Sequence, residues 1–249
     1  MFPPFLIIIY KAFTYFLNLF TWIIFVIRSI RKKEEWKRSK ERFGIVDIDN
    51  KADSYIWLHA ASVGELLSIR PLVQKLLNEN YDIFITTTTV SSANLFKKVF
   101  PNSVKHQYIP YDTPIYTNRF LNRLNVELAI FVESEIWPNF IMECKKRKIP
   151  LLLINTRFSD KSFQYWGYAK KSLIYLLDSF KFISSQNTKT HNWLKKLGYE
   201  NIKFLGNIKH DAEKLEINND KLEALKKTIS DKKIILAAST HHGEEEIIF

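Results

Sequence analysis

Cysteine is almost missing from this chain: Cys144 stands alone among 249 residues. An internal disulfide and a cysteine-based structural zinc site are thereby excluded. Cys144 lies in a helical-looking run, Ile141-Met142-Glu143-Cys144-Lys145, beside no catalytic partner, and reads as a plain thiol. Glycine is scarce as well, with six residues, and neither GxGxxG nor a Walker A pattern occurs. Classical dinucleotide-binding and NTPase readings therefore fail. His59, His241 and His242 show no HExxH or other ligand spacing, so no metal is expected. Acid is the minority charge: 26 Asp and Glu against 37 Lys and Arg leave a net +11. The low hydrophobicity that marks disorder is absent, since 46% of residues are hydrophobic and 14% aromatic.

A positive excess suggests anionic partners: nucleic acid, a phosphorylated ligand or an acidic membrane surface. Position decides among them. From Phe5 to Ile27 the chain is apolar or aromatic almost throughout, with Lys11 its only charge. As one helix it would extend roughly 34 Å at ~1.5 Å per residue, enough for the ~30 Å core of a bilayer. No basic cluster precedes it and no small-residue cleavage site follows, so it does not read as a cleaved signal. The basic cluster comes after it. Arg28, Arg31, Lys32, Lys33, Lys37, Arg38, Lys40 and Arg42 face only Glu34, Glu35 and Glu41, which leaves +5 in this segment. A polybasic stretch beside an apolar helix suits anionic lipid head groups, and the positive-inside rule keeps everything downstream in the cytoplasm. A single membrane-anchor helix with a basic juxtamembrane segment is therefore expected over 1–44. Lys11 and Asn18 leave open a helix lying in the interface rather than across it. No nucleic-acid motif accompanies the charge, so no nucleic-acid partner is expected.

After a short polar linker, strands and helices alternate. Strands are expected at 56–60, 83–87, 105–109, 128–132, 151–155, 181–184 and 202–204. Helices are expected at 64–78, 91–100, 114–124, 137–147, 161–177 and 188–197. This rhythm predicts an α/β domain over 45–212, a parallel sheet with helices on both faces. Right-handed crossovers then align the carboxyl ends of the strands along one edge, where open α/β sheets bind ligands. A helix over 220–230, a strand over 233–238 and a turn at Ser239-Thr240-His241-His242-Gly243-Glu244 open a further unit over 213–249, expected to be a domain only begun.

Chemistry-bearing residues fall at the strand ends. Ser62-Val63-Gly64-Glu65 follows the first strand. Ser62-x-x-Glu65 is a capping box, in which the serine hydroxyl takes an orphan helix amide and the glutamate reaches back. It equally sets a carboxylate at the ligand edge. Glu133-Ser134-Glu135 leaves the fourth strand with its acids pointing the same way. Two such acids repel unless a cation or polar ligand is near, or form a plain exposed loop. Arg157, after the fifth strand, could hold a phosphate or carboxylate bidentately, or pair with Glu133 or Glu135. Lys209, in Gly206-Asn207-Ile208-Lys209, is either a solvated lysine or a point charge for an anionic group.

Taken in order, six segments resemble the Kdo transferases, 3-deoxy-D-manno-octulosonic acid transferases of lipopolysaccharide synthesis. They are His59-Ala60-Ala61-Ser62-Val63-Gly64-Glu65, Tyr108-Ile109-Pro110-Tyr111-Asp112, Glu133-Ser134-Glu135-Ile136-Trp137-Pro138-Asn139, Asn155-Thr156-Arg157, Gly206-Asn207-Ile208-Lys209 and Ser239-Thr240-His241-x-Gly243-Glu244-Glu245. The resemblance implies a GT-B fold, two Rossmann-like domains across a cleft, of which this chain holds the N-terminal, acceptor-binding one. It implies transfer of Kdo from CMP-Kdo to lipid IVA, at the cytoplasmic face of the inner membrane, with inversion in a single displacement. Glu65 would be the general base, with Glu133 and Lys209 assisting the transition state. Ser62, Gly64, Glu135, Arg157, Ser239, Thr240 and His241 would bind substrate. No metal or cofactor is implied; CMP-Kdo is the donor substrate. Members of this family carry most of their CMP-binding residues in a second domain that this chain only begins. The expected partners are therefore lipid IVA, CMP-Kdo, anionic membrane lipids and a separate chain supplying the remaining domain. The alternative is a membrane-tethered fragment that binds acceptor but lacks the CMP-Kdo domain.

Overall fold

Strand β1 (Tyr55–His59) is buried along its whole length. Such a strand must be covered on both faces, and its alternation shows how. Trp57 packs among Phe120, Phe131 and Phe140, with ring centres 5.1–5.3 Å apart. Ile56 and Leu58 face the other way, into a cluster with Leu66, Val73, Ile85 and Ile130. Two hydrophobic layers therefore sandwich one sheet.

The computed structural model describes residues 3–48, 52–211, 218–230, 234–238, 240, 243–244 and 246. In chain order the elements are α1 (Phe5–Leu17), α2 (Thr21–Ile30), a 3-10 turn (Trp36–Arg38), α3 (Ser39–Arg42), β1, α4 (Val63–Ser68), α5 (Arg70–Asn78), β2 (Ile83–Thr87), α6 (Val90–Val99), β3 (Lys105–Tyr108), α7 (Pro114–Arg123), β4 (Val126–Val132), α8 (Pro138–Lys146), β5 (Leu151–Thr156), α9 (Asp160–Tyr168), α10 (Lys170–Leu177), β6 (Phe182–Ser185), α11 (Thr188–Lys196), β7 (Lys203–Phe204), a second 3-10 turn (Ile208–Asp211) and α12 (Asn219–Ile229). All seven strands are parallel, in the order β3-β2-β1-β4-β5-β6-β7. The order reverses between β1 and β4, and a crevice opens there beyond the carboxyl ends. The Rossmann-like α/β reading holds.

Two expected helices are broken. Residues 64–78 form α4 and α5, because Pro71 stands in the first turn of α5 and cannot donate an amide to the turn before it. Residues 161–177 form α9 and α10, parted at Ala169 (φ −101°, ψ 25°) just after Gly167. Gly44 ends the N-terminal segment at φ +75°, with the Tyr116 carbonyl where a side chain would begin.

The expected single anchor helix requires correction. Among the described residues no single helix is long and apolar enough to cross a membrane; α1 and α2 have the length and apolar composition only together, and they meet at a 71° bend. Asn18 is the reason. Its amide group donates to the Thr14 and Tyr15 carbonyls, its backbone oxygen accepts from the Thr21 hydroxyl, and its side-chain oxygen accepts from the Thr113 hydroxyl at 2.7 Å. Tyr10, Thr14 and Asn18 share one face of α1 at four-residue spacing, and all three are held by the α/β domain. Tyr10 donates to Asp112 (2.8 Å) and Thr14 accepts from Asn139 (3.0 Å). Thr21 bonds the Tyr116 hydroxyl at 2.8 Å. The opposite faces stay bare: Phe5, Phe16, Leu19 and Ile30 are 66–75% exposed.

The basic segment is also more ordered than a charged tether. Glu34 is buried between Arg28 and Arg42, both at 2.7 Å. Arg38 pairs with Glu41 at 2.6 Å, and Arg38 and Arg42 stack on the Tyr108 ring. The acids thus take up the three arginines at 28, 38 and 42. Arg31, Lys32, Lys33, Lys37 and Lys40 remain on the surface.

The chain divides into two compact units, 1–212 and 213–249. In the second, α12 forms with the Asn218 side chain capping Lys221. The expected strand at 233–238 does not form over 234–238, where Leu236 is 85% exposed. A strand without a neighbour has no ladder to complete.

Asp112 joins α1 to the domain. It is buried, and its carboxylate accepts from Tyr10, from the amides of Asn139 and Phe140, and from the Asn139 side chain. Burial outweighs these donors and pushes its pKa up to about 6. The folded state therefore holds this proton more tightly than the unfolded chain. Its contribution to stability weakens as pH rises from the ordinary 3.8 towards 6, then stays level. Urea unfolding across this range is expected to follow that slope. Asp112→Ala is expected to abolish it and to cost about 1–3 kcal/mol at neutral pH, because buried donors lose their acceptor.

Candidate active site

Ser62 ends the turn after β1 in extended geometry and caps α4, accepting from the Glu65 amide at 3.3 Å. Glu65 reaches back, but to the Ala61 amide (2.8 Å), while its other oxygen takes the Ser62 hydroxyl (2.8 Å). The capping box is thus real and shifted by one residue. It fixes a carboxylate that is only 7% exposed at the crevice between β1 and β4. Burial pushes the Glu65 carboxyl above the ordinary carboxylate range. The Ser62 hydroxyl opposes this, the Glu135 charge adds to it, the Ala61 amide opposes it, and the Glu133 charge adds to it.

Glu133 leaves β4 with φ 58°, and Asn155, near the end of neighbouring β5, has φ 56°. Left-handed residues that are not glycine store strain and tend to mark working sites. Lys209 reaches Glu133 at 2.8 Å. Its ammonium lies over Gly64, where an added methyl would stand 3.7 Å away, in ordinary contact. The loop bearing Lys209 is pinned by Asn155, whose side-chain oxygen accepts from the Ile208 amide (3.2 Å). Gly64 and Glu65, Glu133 and Lys209 are therefore brought together from three separated segments.

Glu135 turns to the other side of the crevice. Its carboxylate accepts from the Trp137 indole at 2.7 Å and faces His59 Nε2 at 3.4 Å. That second distance is an ion-pair separation, longer than a good hydrogen bond. Burial raises the Glu135 carboxyl, but His59 and then Trp137 outweigh it, and the net position lies below the ordinary range. His59 is fully buried and is oriented from behind by Thr86, whose hydroxyl lies 2.9 Å from Nδ1 and also accepts from Trp57. The site thus holds one carboxyl pushed up and one held down, the arrangement that separates acid and base roles.

Arg157 is not where pairing would put it. Its backbone carbonyl accepts from the Ser134 hydroxyl, but its guanidinium is exposed and pairs with neither Glu133 nor Glu135. Those acids are taken by Lys209 and His59. Ser239 and His241 lie outside the described residues, and Thr240 belongs to the second unit. His59, Thr86 and Asn155 were not among the expected site residues, although His59 and Asn155 stand in the motif segments. The signal for Asn155 was present, an asparagine at a strand end before a turn. His59 reads as one more core position of an apolar strand. Buried polar atoms without a partner, Thr88 Oγ1, Asn155 Nδ2 and Thr156 Oγ1, sit at the carboxyl ends of β2 and β5, where a polar ligand would satisfy them.

A family model of 3-deoxy-D-manno-octulosonic-acid transferases (kdotransferases) matches residues 37–212. The chain belongs to the Kdo transferase family. The 3-deoxy-D-manno-octulosonic acid transferase of Rickettsia bellii is 38% identical over 229 residues, covering 91% of this chain and 54% of that protein. Its counterpart from Haemophilus influenzae is 35% identical over 228 residues, covering 88% and 53%. The chain spans about half the length of the curated relatives it matches.

The pKa coupling has a direct readout. In Glu135→Gln, the Glu65 carboxyl is expected to titrate at lower pH than in the parent chain, because one of the two charges raising it is gone. Carboxyl carbon shifts followed by NMR through a pH titration check this; an unmoved midpoint means that Glu135 does not act on Glu65. Lys209→Ala is expected to change stability by less than about 1 kcal/mol in urea unfolding, since its ion pair is partly exposed.

Proposed function

We propose that the first unit forms the acceptor side and base of a Kdo transferase, moving Kdo from CMP-Kdo to the lipid A precursor lipid IVA by inverting single displacement. The observation that carries the reading is Glu65: a buried, raised, rigidly held carboxylate at the switch of strand order, with Lys209 and Glu133 beside it. Glu65 takes the proton of the acceptor hydroxyl as that oxygen attacks the anomeric carbon. The CMP phosphate leaves from the opposite face with the bonding electrons, so one C–O bond forms as another breaks. A carboxylate whose pKa is raised is a stronger base than an ordinary glutamate. Glu133 favours the positive charge that develops on the sugar ring, and Lys209 the negative charge on the departing phosphate or the sugar carboxylate. In the resting site they neutralise each other. Ser62 and Gly64 shape the approach to Glu65, and Glu135 tunes it. Arg157, exposed at the same edge, is available to an anionic substrate group.

The N-terminal helices fit a membrane interface, on the cytoplasmic side of the inner membrane. Their outward faces carry Phe5, Phe13, Phe16, Leu19, Phe20 and Ile30 bare to solvent, and five surface lysines and arginines follow at once. Apolar insertion plus attraction to anionic head groups is the energetic design of a helix lying in the interface.

The test uses labelled CMP-Kdo and lipid IVA in anionic vesicles, with this chain alone and with the C-terminal half of the Rickettsia bellii relative added. Transfer is expected only in the second arm. Glu65→Gln is expected to lower it by about 10²–10⁴-fold, the worth of a general base, with urea stability close to the parent. Full transfer by Glu65→Gln would remove the base assignment. Loss of fold in that variant would make capping its main role. Vesicle binding is expected to weaken steeply between low and high salt, and to be lost with zwitterionic lipid when the five surface cations are replaced by glutamine.

A further inference from the structure

A trough of about 420 Å³ runs between α1, the turn at 134–138 and the α9–α10 junction. Its walls are Leu6 and Ile7 on one side, Ile136 and Trp137 on the floor side, and Trp166 and Ala169 opposite. Its volume lies in the range of small-ligand sites, ~300–1,000 Å³. That is room for one slender apolar group and too little for a helix.

The surroundings say what that group is. Leu6, 51% exposed, and Phe5, 74%, lie at the rim on α1; Tyr165, 64%, and Tyr168, 92%, are exposed on α9. The trough therefore opens between two surfaces of bare apolar and aromatic side chains, and it continues the face assigned above to the membrane. Polar partners inside are few. The Tyr10 hydroxyl is spent on Asp112, the Ser134 hydroxyl on the Arg157 carbonyl, and Glu135 Oε2 on Trp137 and His59. A polar solute would give up water there for little return, whereas hydrocarbon loses nothing. Its lining includes Ser134 and Glu135, the two residues that follow Glu133.

We propose that this trough seats one acyl chain of the lipid acceptor, so that the membrane-facing rim admits the tail while the sugar head lies at Glu65 and Glu133. The proposal rests on the acceptor reading given above. It makes Trp137 a part of both sites, its ring forming a wall for the tail and its indole nitrogen holding Glu135.

Cysteine footprinting tests it on the whole chain. Cys144 is fully buried and its thiol is pushed up to about 12, so it is inert to a maleimide at neutral pH. Ala169→Cys, at a half-buried position, and Leu6→Cys, at an exposed one, introduce reactive thiols on opposite walls; the second serves if the first fails to fold. Ile23→Cys, on the bare face of α2 outside the trough, is the control. All are held in the same mild detergent. The probes are a tetra-acylated disaccharide bisphosphate and its fully deacylated counterpart, with binding followed separately by calorimetry. At ten times its Kd the acylated probe is expected to slow labelling of residues 169 and 6 about tenfold, by occupancy, and to leave residue 23 unchanged. The deacylated probe is expected to protect neither wall. Acylated probe that binds without protecting residue 169 overturns the trough and leaves the acceptor reading standing. Equal protection of residue 23 means general adsorption and also overturns it. If the acylated probe does not bind at all, the acceptor reading fails and the trough falls with it.

Discussion

The carboxylate of Asp112 ties together three pieces of chain: its own loop, α1 and α8. It accepts from Tyr10 of α1, and from two amides at the start of α8. The amides at a helix start are orphans, and an acid is the natural acceptor for them. Fixing the start of α8 fixes the turn immediately before it, which carries Glu135, Ile136 and Trp137. Fixing Tyr10 brings α1 against that same turn. A single buried acid thus sets the distance between the outward, apolar helices and the carboxylates at the sheet edge. Without it α1 would keep little beyond side-chain bonds at Thr14 and Asn18 and the apolar seat of Ile7.

At Glu65 two readings that look like rivals turn out to share one geometry. A capping glutamate is held by an amide and a hydroxyl, and a general base must be held as firmly, because a loose carboxylate spends its advantage on reorganisation. What distinguishes a base is its electrostatic company. Glu65 sits in low dielectric with Glu135 and Glu133 within range, and both raise it. Glu135 is kept charged by His59 and Trp137, so the field it exerts is steady. Lys209 neutralises Glu133 rather than Glu65, which leaves Glu65 without that cation to quench it.

The strand and helix rhythm was legible because a parallel sheet buried on both faces leaves continuous apolar runs, and its turns carry Pro, Asn and Gly. Ser62, Thr89, Thr113, Ser159 and Asn187 all cap the helices that follow them, a local signal that needs no tertiary context. Where the reading failed, the cause lay far along the chain. Asn18 is a poor helix former but breaks the N-terminal run only because Thr113 offers it a partner 95 residues away. Of the two readings left open for Arg157, pairing with the acids does not occur, because Lys209 and His59 stand against them. His59 was hidden by its own strand: five consecutive buried positions give no hint that one of them faces a carboxylate. The strand at 233–238 was read from composition, but a ladder requires a neighbour that composition cannot supply.

Under the acceptor reading proposed above, topology explains how two faces of this unit would serve one lipid. In the order β3-β2-β1-β4-β5-β6-β7 the switch between β1 and β4 opens a crevice at the carboxyl edge, and the turn after β4 forms one lip of it. The same turn forms the floor of the trough beside α1. A hydrophilic reacting group and a hydrophobic tail have opposite solvation needs, and one molecule bearing both must meet them within its own length. Here the change from apolar to charged lining occurs between Ile136 and Glu135, adjacent residues of one turn. An acceptor drawn from a bilayer could therefore keep its chain in hydrocarbon-like surroundings up to the point where its hydroxyl reaches Glu65, and the energy of leaving the membrane would be offset as the head group enters the site.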